Sequence, residues 1–143
     1  MSLLIVLLSS LSFLAVRGGG TSSELFVDAT LVWGAKAASS DKKLHAVGKD
    51  LQAKLRKSFK WEHYYEITNK SFRLSDLKPH RVRMSDKCVV EVKRLGDQEV
   101  NVKLIGEGKV VINRRQSLAK DDSVVLGGPC KDESAWFVVL RFK

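Results

Sequence analysis

The chain is poor in the residues that build metal and redox centres. Its 143 residues include only two cysteines and three histidines, and no CxxC, HxH or HExxH spacing occurs. A metal site needs three or four such ligands converging on the ion, and none is prefigured, so neither a metal nor another cofactor is expected. His45, His63 and His80 fall in a helix, a strand and a loop by pattern, and read as surface residues. The serines lack a GxSxG elbow, and the nearness of Ser85 and Asp86 to His80 is what short polar turns produce by chance. The GGP at Gly127–Pro129 precedes no helix, which excludes a phosphate cradle and leaves permissive backbone at a strand end. Glu62, Glu66, Asp97, Glu99, Glu107, Asp121, Asp122, Asp132 and Glu133 lie in turns or on outward strand faces. No two of these carboxylates read as the buried pair that acid/base chemistry needs, and the chain is not expected to be an enzyme.

Proline is as scarce as cysteine, at two residues, while 44% of the chain is hydrophobic and 29% charged. That composition excludes a disordered chain, and the length suits one domain with a single core. Charge is missing altogether from Met1 to Val16, which is apolar or serine and ends at Arg17 before three glycines. The run is shorter than the roughly 20 residues a spanning helix wants, but it suits a secretory h-region. We expect a signal peptide over residues 1–18, a Gly/Ser linker over 19–23 and one β-rich domain over 24–143. A buried N-terminal element and a retained anchor are the alternatives. Loss of residues 1–18 removes only Arg17, so the net charge falls from +9 to +8 and the mature chain has no expected transmembrane span. Such an excess favours anionic partners.

Past the linker, ELFVDATLVWG alternates as a strand with one buried face: Leu25, Val27, Ala29, Leu31 and Trp33 point one way. From Leu44, apolar residues recur at helical spacing through Val47, Leu51, Leu55 and Phe59, which predicts an amphipathic helix over about 42–60 with Gly48 in its interior. The period then changes to two. Strands are predicted at 62–68 and 71–76 around a turn at Asn69 and Lys70, followed by RVRM, CVVEVKRL, EVNVKLI, KVVINRRQ, SVVLGG and SAWFVVLRF. Eight or nine short strands with regular turn signals predict an antiparallel sandwich or barrel carrying one helix.

Basic residues gather on the predicted helix. Lys42, His45, Lys49, Arg56 and Lys60 fall in one stripe beside its apolar face. The stripe reads either as a solvated face or as a docking strip for an anionic surface. In KLRKSFKWEHYYEI the aromatics mark a helix-to-strand junction, with Tyr64 and Tyr65 on opposite strand faces and at most one of them on the core side. No RNP-like run accompanies them, so nucleic acid is an unfavoured partner.

The order LQAKLRKSFKWEHYYEI, short strands, VVLGGP and AWFVVLRF is similar to small exported bacterial domains that open with a Leu-rich helix running into a Phe-aromatic-Tyr strand and close with a GGP hairpin. The likeness covers Leu44 to Phe142 and implies a β-rich exported domain without implying any chemistry. The expected function is a non-enzymatic binding or assembly module of the bacterial envelope. Its expected partner is an anionic envelope component or an acidic protein, and the expected location is periplasmic, secreted or envelope-associated. A cytoplasmic nucleic-acid-binding domain and a small secreted enzyme or inhibitor are the rival readings. Cys88 alternates with Val90 and Val92 as a core residue, whereas Cys130 sits in a polar turn. A buried and an exposed thiol rarely meet the Cα separation of a disulfide, and the two are expected to stay unbridged.

Overall fold

A computed structural model describes residues 24–75, 77–118, 123–130 and 132–143. The expected signal peptide, the linker and the AKDD turn lie outside these residues. Among the described residues, nine strands form two antiparallel sheets. The five-stranded sheet holds β1 (Leu25–Ala35), β2 (His45–Ala46), β3 (His63–Leu74), β8 (Ser123–Pro129) and β9 (Ala135–Phe142) in the order β2-β3-β1-β9-β8. The four-stranded sheet runs β4 (His80–Ser85), β5 (Cys88–Arg94), β6 (Glu99–Gly106) and β7 (Lys109–Ser117) in chain order. No strand pairing joins the two sheets among the described residues, so the architecture is a sandwich and not a closed barrel. No described helix is long and apolar enough to cross a membrane.

Alternation sorts the side chains into two cores. Val27, Ala29 and Leu31 of β1 pack with Val90 and Val92 of β5, Val100, Val102 and Leu104 of β6, and Val138, Leu140 and Phe142 of β9 between the sheets. A second cluster, Val32, Val47, Leu55, Trp61, Tyr64, Ala135, Phe137 and Val139, lies on the opposite face of the five-stranded sheet, at the one helix among the described residues. The five-stranded sheet is therefore covered on both faces. Tyr64 belongs to the helix-side core, and Tyr65 is buried on the other face beside Trp33, at 5.7 Å between ring centroids. Both tyrosines are buried, contrary to the expectation of one, because each face has its own cover.

The helix is shorter than predicted. α1 spans Lys49–Ser58, with Gly48 at its N-cap and the Phe59 N–H closing it on the Leu55 carbonyl. Residues 45–46 pair with the edge of β3, and the Val47 N–H bonds the Tyr64 carbonyl at 3.0 Å. An unpaired strand edge satisfies these backbone groups, so the chain stays extended until Gly48. The interior glycine cost does not arise, because Gly48 precedes the helix.

The turn predicted at Asn69 and Lys70 is also absent. β3 continues through both residues, which pair with Thr30 and Ala29 of the long strand β1, and Asn69 Nδ2 donates to Thr30 Oγ1 at 2.7 Å. The irregularity lies two residues earlier, where Leu31 and Val32 face Thr68 and Glu66 and leave Ile67 as a bulge. The extra residue reverses the phase of β3 while β1 keeps its own: Phe72, Lys70 and Thr68 stand opposite the inter-sheet residues Val27, Ala29 and Leu31, whereas past the bulge Tyr65 stands opposite Trp33 and Tyr64 turns to the helix side.

Candidate functional site

The five residues of the predicted basic stripe are all exposed, but they do not share one helix face. Lys42 lies in a turn, His45 pairs with Glu66 in β2, and only Lys49 and Arg56 belong to α1. Arg56 Nε donates to the Glu62 carbonyl at 3.0 Å, and Lys60, beyond the helix, sits 5.2 Å from the Trp61 ring centroid. The shortened helix breaks the spacing that aligned them.

Another set of cations is assembled by the four-stranded sheet. With Val90, Val92, Val102 and Leu104 pointing inward, the cross-strand rows Arg81-Glu91-Lys103-Asn113 and Lys93-Asn101-Arg115 point outward, as do Arg83 and Glu99. Five cations thus share this face with two carboxylates, Glu91 and Glu99. Glu91 is 6% exposed and is flanked by Arg81 Nε at 2.9 Å and Lys103 Nζ at 3.5 Å. The hydrogen bond from Arg81 and the Lys103 charge hold its carboxyl below the ordinary glutamate range. Glu99 pairs with Arg115. Arg83 and Lys93 make no ion pair among the described residues and stand exposed.

The second feature is a cleft of about 940 Å³ at one end of the sandwich, within the range of ligand pockets. Its floor is the inter-sheet core at Leu31, Leu104, Ile112 and Val138. The β4–β5 turn at Asp86 and Lys87 and the β6–β7 turn at Glu107 bound it, tied together by the Glu107 N–H on the Lys87 carbonyl at 2.9 Å. Glu107 and Gly108 both take positive φ, 51° and 80°, as a tight two-residue hairpin requires. On the other wall, Tyr65, Trp33, Trp136 and Gly128 stand side by side in register across β3, β1, β9 and β8. Trp136 and Gly128 line the cleft, and Trp136 remains 41% exposed.

Both cysteines are free and line this cleft. Cys88 is only half-buried, because it sits where the inter-sheet core opens, and desolvation raises its thiol pKa. Cys130 is half-buried as well and not fully exposed as expected, since its N–H closes the β8–β9 turn on the Ser134 carbonyl at 2.8 Å.

His80 and Ser85, near each other in sequence, stand apart in the structure. His80 begins β4 and Ser85 ends it, five strand steps or roughly 16 Å apart, and the His80 ring stacks on Phe72 at 4.7 Å. No cluster of three His, Cys, Asp or Glu positioned to hold a metal occurs among the described residues. The charge rows of the four-stranded sheet were readable in principle as the outward phase of RVRM, CVVEVKRL, EVNVKLI and KVVINRRQ. The cleft was not, because it depends on how the two sheets face each other. No family model, curated protein or solved structure matches the chain.

Proposed function

We propose that the chain is a non-enzymatic binding and assembly domain that works outside the cytoplasm, at the bacterial envelope, and attaches to an anionic component through the outer face of its four-stranded sheet. The observation that carries this reading is the set Arg81, Arg83, Lys93, Lys103 and Arg115 on a face that no other described element covers, opposed by only two carboxylates. Charges held on neighbouring strands about 4.8 Å apart add their fields, which favours encounter with an anionic surface. The uncharged N-terminal run and the likeness to exported domains support the location. The nucleic-acid reading gains little here. The apolar residues among these cations are Val89, Ile105 and Val110, and none offers a ring on which a base stacks.

Cosedimentation with vesicles tests the reading. Binding is expected to vesicles rich in phosphatidylglycerol and not to phosphatidylcholine. It should fall as salt rises through physiological strength, where surface charges are screened over about 8 Å. Equal retention by both vesicle types would remove the proposal.

A further inference from the structure

The cleft opens between two strands that have no neighbour on their outer side among the described residues. β7 ends the four-stranded sheet and β8 ends the five-stranded one. Val111 of β7 and Gly127 and Gly128 of β8 line the cleft and are all exposed, so its mouth lies between these edges. A strand edge exposes a row of unpaired N–H and C=O groups that templates a further strand. The glycines add no side chain to shield the β8 wall.

The charge pattern of β7 identifies what fits there. Lys109 pairs with Gly106, which faces the cleft with Cys88, and Arg114 pairs with the inward Val102. On the cleft side of β7 two cations thus bracket Val111 and Ile112. Val111 reaches this side because the ladder slips between Leu104 and Ile105. Neither β7 nor β8 carries a carboxylate, and neither Lys109 nor Arg114 makes an ion pair among the described residues. Unpaired cations discourage edge pairing with a neutral or basic strand and favour an acidic one.

We infer that the β7 edge accepts an extended segment of an acidic partner protein, added as a further strand of the four-stranded sheet. The segment places an apolar side chain in the cleft over Val111 and Ile112 and an acidic side chain two positions to either side, opposite Lys109 and Arg114. Main-chain bonds supply affinity, and the acidic-apolar-acidic pattern on one face supplies the choice of partner. This site is separate from the outer face proposed above, so either can fail alone.

Three synthetic peptides test it: Thr-Glu-Thr-Val-Thr-Glu-Thr, whose glutamates are four steps apart like the β6 partners of Lys109 and Arg114, the same peptide with lysine in place of both glutamates, and a rearranged peptide with its glutamates on the positions that face away from the cleft. The full chain with the first peptide should show slowed amide exchange at alternate residues of β7 and none at β4, with a change in tryptophan emission from Trp136. The lysine and rearranged peptides should bind more weakly by about two- to thirtyfold, the worth of two ordinary cross-strand ion pairs. Lys109→Glu with Arg114→Glu should reverse the preference toward the lysine peptide, while Arg83→Gln with Lys93→Gln should leave it unchanged. The inference fails if no β7 amide is protected or if the lysine peptide binds equally. It also fails if β7 protection rises with protein concentration alone, which would make a second copy the occupant. Binding of laurate with the emission change but no amide protection would overturn it too, in favour of a small-molecule cleft.

Discussion

Glu91 shows how a single side chain links the sheet's stability to its surface charge. Its folded pKa is depressed by the Arg81 hydrogen bond and then by Lys103, and that of Asp28 by hydrogen bonds from Lys143 and Ser71. A depressed folded pKa contributes stability that is full above the unfolded value and is lost as pH falls through the folded one. Urea midpoints of the wild type are therefore expected to drop between about pH 6 and pH 3, and Glu91→Gln to flatten part of that drop while lowering stability at neutral pH. Parallel acid losses in the two proteins would contradict the assignment. Gly127 makes a steric point instead. A Cβ there would collide with the Trp136 carbonyl oxygen and lie 2.9 Å from Phe137 Cα, so Gly127→Ala is expected to cost about 1–3 kcal/mol in denaturant unfolding. The free thiols give a chemical check: both should alkylate without prior reduction, Cys88 more slowly because burial keeps it protonated.

Elements were legible where one local pattern decided them. β1 and the strands from β4 to β9 lie where alternation and turn residues put them, because their side chains report directly which face is buried. The two departures both concern the edge of β3. Leu44 and Val47 have helical spacing to Leu51, yet the backbone of residues 45–47 pairs with β3, an edge that is remote in sequence. Asn69 looks like a turn residue in isolation, but β1 runs eleven residues and holds its partner extended. The Ile67 bulge sets which tyrosine enters which core. Deleting Ile67 should force His63–Glu66 to the opposite faces, bringing Tyr64 out from under α1. Loss of cooperative unfolding is the expected outcome, against a minor change if the bulge were incidental. Leu55, the fully buried residue on the inner face of the helix, should cost about 2–5 kcal/mol as Leu55→Ala, since it anchors α1 to the sheet.

At the scale of the molecule, the sheets divide the labour. The five-stranded sheet is buried on both sides, by the helix and by its partner sheet, and its aromatic residues are largely spent on packing. The four-stranded sheet has one face that no described element covers, and five basic residues share it with two carboxylates. The sequence carried the total charge and the outward phase of each strand. It could not show that Lys42, His45, Lys49, Arg56 and Lys60 fail to align, because that depends on where the helix begins. Two triple variants of equal net charge separate these surfaces: Arg83→Gln, Lys93→Gln, Arg115→Gln on the sheet, and Lys49→Gln, Arg56→Gln, Lys60→Gln around the helix. Each loses three positive charges at exposed positions, so a nonspecific charge effect lowers both equally. Cosedimentation with acidic vesicles at one fixed salt concentration should fall sharply for the sheet variant and little for the helix variant. Equal loss in both, or greater loss in the helix variant, would contradict the assignment of the bare sheet face as the contact surface.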